Sequence, residues 1–193
     1  MNKPRINKSA VKSYSESSND PKTYSTEDKL KIKRNLTHKP SKKNVLTFEQ
    51  PEMRMSKAVY TNIIYEICSR PVEAGGLLLG SVDSNVITKF YFDGGGACSG
   101  ATYTPDYITL RQKMKEVWMP SGIDMKGFVH SHPNHFDCHS RGDLEYIGRL
   151  LDKNKDMDIF FAPIIIPTKY YMRPLCVLRK NPGVSVEAKL VLF

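Results

Sequence analysis

Four of the five histidines lie within ten residues, in the run His130-Ser131-His132-Pro133-Asn134-His135-Phe136-Asp137-Cys138-His139-Ser140-Arg141-Gly142-Asp143. This run dictates a local fold. Met125–His132 reads as a strand, and Pro133, which has no N–H to give to a sheet ladder, ends it. Ser140 with Asp143 three residues on has the spacing of a helix cap, and Leu144, Ile147 and Leu151 recur on one face through Leu151. The spacing predicts a helix over Ser140–Leu151. Side chains two apart in a strand share a face, so His130 and His132 point together while Ser131 points away.

Histidine is the commonest metal ligand among side chains. Zinc binds imidazole nitrogen and carboxylate oxygen at about 2.0–2.2 Å, and three protein ligands plus a water make a catalytic rather than a structural site. With His130 and His132 aimed at one ion, Asp143 in the first turn of the next helix is the natural third ligand. Each piece has a plainer reading. A His-x-His pair also occurs at exposed strand ends. Ser140 also suits a capping hydroxyl, and Asp143 an acid favoured by the helix dipole. A cap that fixes the first turn would also hold Asp143 toward a metal.

The chain's net charge of +9 over 193 residues is unevenly spread. Residues 1–45 carry twelve Lys/Arg and four Asp/Glu, whereas the remainder carries 17 basic and 16 acidic residues. Residues 1–44 therefore read as a disordered basic tail, with a short helix near Asp28–Arg34, and residues 45–193 as one folded domain. Such a tail is able to touch nucleic acid through counterion release, although a solvated lead-in is the simpler reading. The longest apolar run, Ile159–Ile166, is too short to span a bilayer and holds Pro163. The N-terminus has no apolar signal-peptide core. A soluble, cytoplasmic protein without membrane contact is expected. Cys68, Cys98, Cys138 and Cys176 are scattered, with neither a disulfide framework nor a four-cysteine knot.

Val45–Phe48 is expected to open the domain as a strand. Val59, Tyr60, Ile63, Ile64 and Ile67 recur at helical spacing up to Pro71. Gly75–Gly80, running on to Val82, and Val86–Phe92 read as strands, and Gly94-Gly95-Gly96 as a turn without the spacing of a nucleotide fingerprint. Tyr107, Leu110, Met114 and Val117 form a helical stripe expected to face the core. Ile159–Ile166, Tyr171–Arg179 and Val184–Leu192 read as three closing strands. Alternating strands and helices followed by strands predict an α/β (α+β) domain around a mixed sheet.

His-x-His-Pro, six residues, Ser, two residues, Asp resembles the signature of the JAB/MPN (JAMM) metalloproteases. That family also needs a glutamate before a Gly-rich apolar strand, which Glu73-Ala74-Gly75-Gly76-Leu77-Leu78-Leu79-Gly80 supplies. The likeness spans residues 45–193 and is nearest to the compact bacterial members. It implies an MPN/JAB-like, cytidine-deaminase-like mixed sheet flanked by helices. It implies zinc held by His130, His132 and Asp143, Glu73 as general base and acid on the zinc water, and Ser140 as oxyanion donor. It further implies an (iso)peptidase acting at the C-terminus of a ubiquitin-like protein, in some relatives beside activating- and conjugating-enzyme homologues. A protease trimming sulfur carriers, a peptidase for small peptides or amino-acid conjugates, and a zinc-stabilised binding scaffold are the alternatives. His135, Asp137, Cys138 and His139 exceed the family pattern. They would line the loop beside the site or hold a second metal. Substrate contacts are expected from Gly94–Pro105 and Asn134–His139.

Overall fold

The computed structural model describes residues 49–98, 103–132 and 136–193. The expected tail, its short helix near Asp28–Arg34 and the opening strand Val45–Phe48 lie outside the described residues. In chain order the elements are β1 (Glu52–Met55), α1 (Lys57–Cys68), β2 (Gly75–Ser81), β3 (Lys89–Phe92), β4 (Ala97–Cys98), β5 (Tyr103–Thr104), α2 (Tyr107–Lys113), β6 (Ile123–Ser131) and α3 (Arg141–Lys153). Six short strands follow: β7 (Ile159–Phe161), β8 (Ile164–Ile166), β9 (Tyr171–Arg173), β10 (Leu175–Leu178), β11 (Ser185–Glu187) and β12 (Lys189–Leu192).

The main sheet runs β11-β10-β7-β6-β2-β3, with β8 and β9 branching from the far end of β6. It is mixed. β6 is antiparallel to β2 and parallel to both β7 and β8. Successive residues alternate between faces, as the pleat requires. Leu78, Val129, Phe161 and Cys176 pack with Val59, Ile63 and Ile67 of α1. Their neighbours Leu77, Phe128, Phe160 and Val177 pack instead with Leu110 of α2 and Ile147 and Leu151 of α3. The result is a mixed sheet flanked by helices on both faces. Among the described residues no helix is long and apolar enough to cross a membrane.

Backbone polar groups decide where the closing strands break. Each of the three expected strands is two. Pro163 separates β7 from β8, and Pro174 separates β9 from β10, because proline cannot extend a ladder through its nitrogen. At Ala188 the last strand leaves the sheet. Its N–H reaches the Pro174 carbonyl and the Lys189 N–H reaches the Pro51 carbonyl, so β12 pairs in parallel with β1. Val86–Phe92 is strand only from Lys89, since Ile87 bridges instead to Met55.

The stripe on α2 is half core. Leu110 is buried and Met114 packs beside it, but Tyr107 is 66% and Val117 52% exposed. The helix loosens into a π turn over Met114–Trp118, which rotates Val117 off the buried face. A register shift between Leu78 and Leu79 places Gly127 where a β-carbon would lie 1.7 Å from the Phe161 carbonyl oxygen. Only glycine lets β6 and β7 approach so closely at this point.

Candidate metal centre

The alternation of β6 carries both imidazoles to the α3 side of the sheet. His130 pairs with Gly75 on one flank and with Ile164 on the other. Ser131 faces away and is fastened to the strand preceding β2. Its hydroxyl accepts from the Ala74 N–H at 3.0 Å, and its own N–H reaches the Ala74 carbonyl at 2.9 Å. That stitch sets Glu73 alongside the histidines. His132 lies one residue past β6 and is held by its N–H on the Ile165 carbonyl.

Both imidazoles are buried and their Nε2 atoms are 2.9 Å apart. Asp143 Oδ1 lies 3.7 Å from His130 Nε2, and Oδ2 lies 3.9 Å from His132 Nε2. Tetrahedral ligands at zinc's usual bond lengths stand about 3.3 Å apart, a value these three separations bracket. His132 Nδ1 sits 3.1 Å from the Phe136 carbonyl oxygen and donates to it. Its Nε2 therefore carries the lone pair, the tautomer a metal ligand needs. His130 Nδ1 is buried with no hydrogen-bond partner. Two buried imidazole nitrogens and a half-buried carboxylate converge on one point, the kind of donor set that a cation satisfies. The donor set fits a divalent ion with three protein ligands and one position left for solvent.

Asp143 is aimed by the start of α3. Ser140 is the N-cap, and its backbone N–H donates to Asp143 Oδ2 at 2.8 Å. The Ser140 hydroxyl donates to the same oxygen at 2.7 Å and accepts from the Asp143 N–H at 3.2 Å. The cap thus fixes Asp143 beside the two histidines. Burial opposes the Asp143 charge, but His130 and the Ser140 donors outweigh it, and the carboxyl stays well below the usual carboxylate range. For His132, burial and then the neighbouring His130 lower its pKa and favour the neutral ring.

Glu73 is buried, and burial raises its pKa. His130 draws it back down, Asp143 pushes it up, and the Tyr103 backbone N–H favours the charged form. Such a carboxylate accepts a proton more readily than an exposed one. Glu73, His130, His132, Ser140 and Asp143 all line one cavity of about 740 Å³. Tyr103, Tyr107, Phe128, Phe136 and Tyr146 supply aromatic lining, and Arg149 lines it too.

The surplus loop residues do other work. Asp137 is tied to β9, since Arg173 Nη1 reaches its carboxylate at 3.0 Å and its carbonyl at 2.9 Å. Cys138 is an exposed thiol on the cavity wall. His135 lies outside the described residues. Among the described residues only His130, His132 and Asp143 converge as a possible ligand group. His139 is 9% exposed and stacks on His130 with centroids 6.0 Å apart. Burial, then the nearby His130, lower its pKa to about 4, although the Asp143 carboxylate favours the proton.

Sequence pattern did not point to Asp93, Tyr103 or Tyr146. Tyr146 was within reach, because it lies three residues after Asp143 on the same face of α3.

The depressed His139 pKa carries a sign. The unfolded chain takes up a proton near pH 6.5, whereas the folded ring resists to about pH 4. Stability from this residue is therefore full above about pH 6.5 and is lost as the pH falls toward about 4, by roughly 3 kcal/mol. Urea unfolding of the metal-free protein across this range is expected to follow that slope. His139→Leu is expected to flatten it, and an unchanged slope would refute the assignment.

No family model matches the sequence, and no curated protein matches it. Solved structures do. A protein from Desulfitobacterium hafniense, determined in solution, is 21% identical, with 73% of this chain and 92% of that one covered and a TM-score of 0.55. A JAB1/MPN domain protein from Archaeoglobus fulgidus is 23% identical over 72% of this chain and 98% of that one, with a TM-score of 0.43. A protein from Salinibacter ruber is 16% identical over 73% and 92%, with a TM-score of 0.48. The Desulfitobacterium likeness establishes a shared fold, the α/β domain with a mixed sheet flanked by helices.

Proposed function

We propose that the chain is a zinc-dependent (iso)peptidase of the JAB/MPN (JAMM) type, acting at the C-terminus of a ubiquitin-like protein for deconjugation or precursor processing. The observation that supports it is convergence. Glu73, distant in sequence, shares one cavity with the ligand set of His130, His132 and Asp143. Zinc held there would lower the pKa of its water toward about 7 and polarise the scissile carbonyl.

The remaining chemistry belongs to the chain. Glu73 accepts a proton from the attacking water and later delivers it to the leaving amine, as a carboxylate with a raised pKa is suited to do. The Ser140 hydroxyl, which rests on Asp143, turns to donate to the developing oxyanion. The aromatic side chains of Tyr107, Phe136 and Tyr146 offer apolar surface on which a substrate segment would pack beside the ligand set. The proposed partners are a ubiquitin-like substrate and the activating- and conjugating-enzyme homologues that would load it.

The same aromatic lining also suits a bulky apolar side chain next to the scissile bond, which favours small peptides as the second reading. The test incubates the zinc-loaded full chain with ubiquitin-like C-terminal fusions, lysine-linked conjugates and short aromatic peptides. Cleavage of the fusions or conjugates is the expected result. Hydrolysis of the peptides alone would move the assignment to the second reading, and no cleavage of any substrate would leave a scaffold.

A further inference from the structure

The carbonyl that His132 Nδ1 addresses sits on a loop with little hold on the core. Phe136, Asp137 and Cys138 are all exposed, and the Phe136 ring is 66% so. Polar contacts must therefore fix this stretch, and they come from one side chain on another strand. Arg173 of β9 stands opposite Ile164 of β8, which stands opposite His130 of β6. Residues in register share a face of the sheet. Arg173 thus projects on the same side as His130, two strands and about 10 Å away, while its neighbour Met172 packs into the core on the α1 side. From there Arg173 Nη1 donates to the Asp137 carbonyl oxygen at 2.9 Å and lies 3.0 Å from Asp137 Oδ2. Its Nη2 makes a longer contact, 3.4 Å, with Glu187 Oε2 on β11.

We propose that Arg173 is a positioning residue of the metal centre: by gripping Asp137 at two oxygens it keeps the Phe136 carbonyl seated on His132 Nδ1. This rests on the metal-binding half of the reading above and on no substrate. The mechanics are short. With its carbonyl and carboxylate both held, the Asp137 α-carbon is fixed, and the planar Phe136–Asp137 peptide turns about a single torsion. That peptide carries the oxygen 3.1 Å from His132 Nδ1. An acceptor there sets the plane of a ligating imidazole and makes its other nitrogen a stronger donor to a metal. A guanidinium is suited to the task, because its rigid, always charged fork holds two oxygens where an ammonium offers a mobile point charge. Asp137 thereby serves the metal without ligating it.

Two measurements on the full chain decide it. Zinc affinity is read by competition with a chelating dye. Arg173→Met keeps the stem and removes the fork, and is expected to raise the zinc dissociation constant about 10–100-fold. Asp137→Ala, at an exposed position whose truncation spares the core, removes half the grip and is expected to weaken zinc by less. The double variant is expected to bind zinc no more weakly than Arg173→Met alone, because the two side chains act as one unit. Glu187→Gln leaves the grip on Asp137 intact and is expected to bind zinc as the native chain does. Native affinity in Arg173→Met, or an equal loss in Glu187→Gln, would overturn the proposal. In the zinc-saturated chain, the His132 Nδ1 proton is then followed by NMR. Arg173→Met is expected to speed its exchange with water at least about tenfold while the amides of β6 keep their native rates. An unchanged ring proton would overturn the proposal. Equal acceleration of the β6 amides would do the same, since Arg173 would then be a general brace of the sheet. A native chain that binds no zinc would overturn it together with the metal centre. Absence of cleavage by the native chain would remove the peptidase reading alone, since neither measurement uses a substrate.

Discussion

Glu73→Gln is expected to keep zinc binding and to lose about 10²–10⁴-fold in kcat. Glutamine preserves the shape of the side chain but cannot take a proton from water, and general acid–base catalysis by a placed side chain is worth about 10²–10⁴-fold. The carboxylate does not belong to the converging group of His130, His132 and Asp143, so its neutralisation spares the ion's protein ligands. Stability is expected to hold or rise slightly, because burial already disfavours the charge at this position. Zinc content by elemental analysis, alongside kcat on a cleaved fusion, checks both halves. A variant that turns over at the native rate would place the base elsewhere and end the mechanism proposed for Glu73.

His132→Ala is expected to lose metal and activity together. The substitution removes the nitrogen whose lone pair is set by the Phe136 carbonyl, leaving His130 and Asp143 as a two-ligand remnant. Loss of a direct ligand is expected to weaken zinc binding more than the 10–100-fold typical of the outer partners of ligands. The readout is thermal unfolding with and without zinc. A ligand that binds only the native state stabilises it by about 2.7 kcal/mol at a hundredfold excess over its dissociation constant. The native chain is expected to show that rise and the variant none. In the metal-free forms the substitution removes the 2.9 Å hydrogen bond between the two imidazoles and the bond to Phe136, so the response to zinc and not the basal melting point is the deciding readout. A variant whose melting still responds to zinc as the native protein does would mean the ion binds elsewhere.

Local pattern carried the site further than it carried the sheet. His130, His132, Ser140 and Asp143 sit within one strand–loop–helix unit, so period-two alternation and cap spacing were enough to place them together. Glu73 is joined to them by the pairing of Gly75 with His130 and by the Ser131–Ala74 stitch, long-range contacts that no local pattern encodes. The family resemblance supplied it. The broken closing strands were partly legible, because Pro163 and Pro174 are visible in the sequence. The departure of β12 to pair with β1 was not, because it depends on carbonyls at Pro51 and Pro174 that become acceptors only in the folded chain. Val117 was misplaced because a π turn is invisible to a fixed helical period.

The cap on α3 has one more consequence. Asp143 is already immobilised by Ser140, and His132 by Phe136, before any ion arrives. Most of the ordering entropy of the pocket is therefore spent while the chain folds. Capture of a cation then resembles a key entering a finished lock, with far-ultraviolet ellipticity unmoved, and not the ion-driven collapse seen in small finger modules.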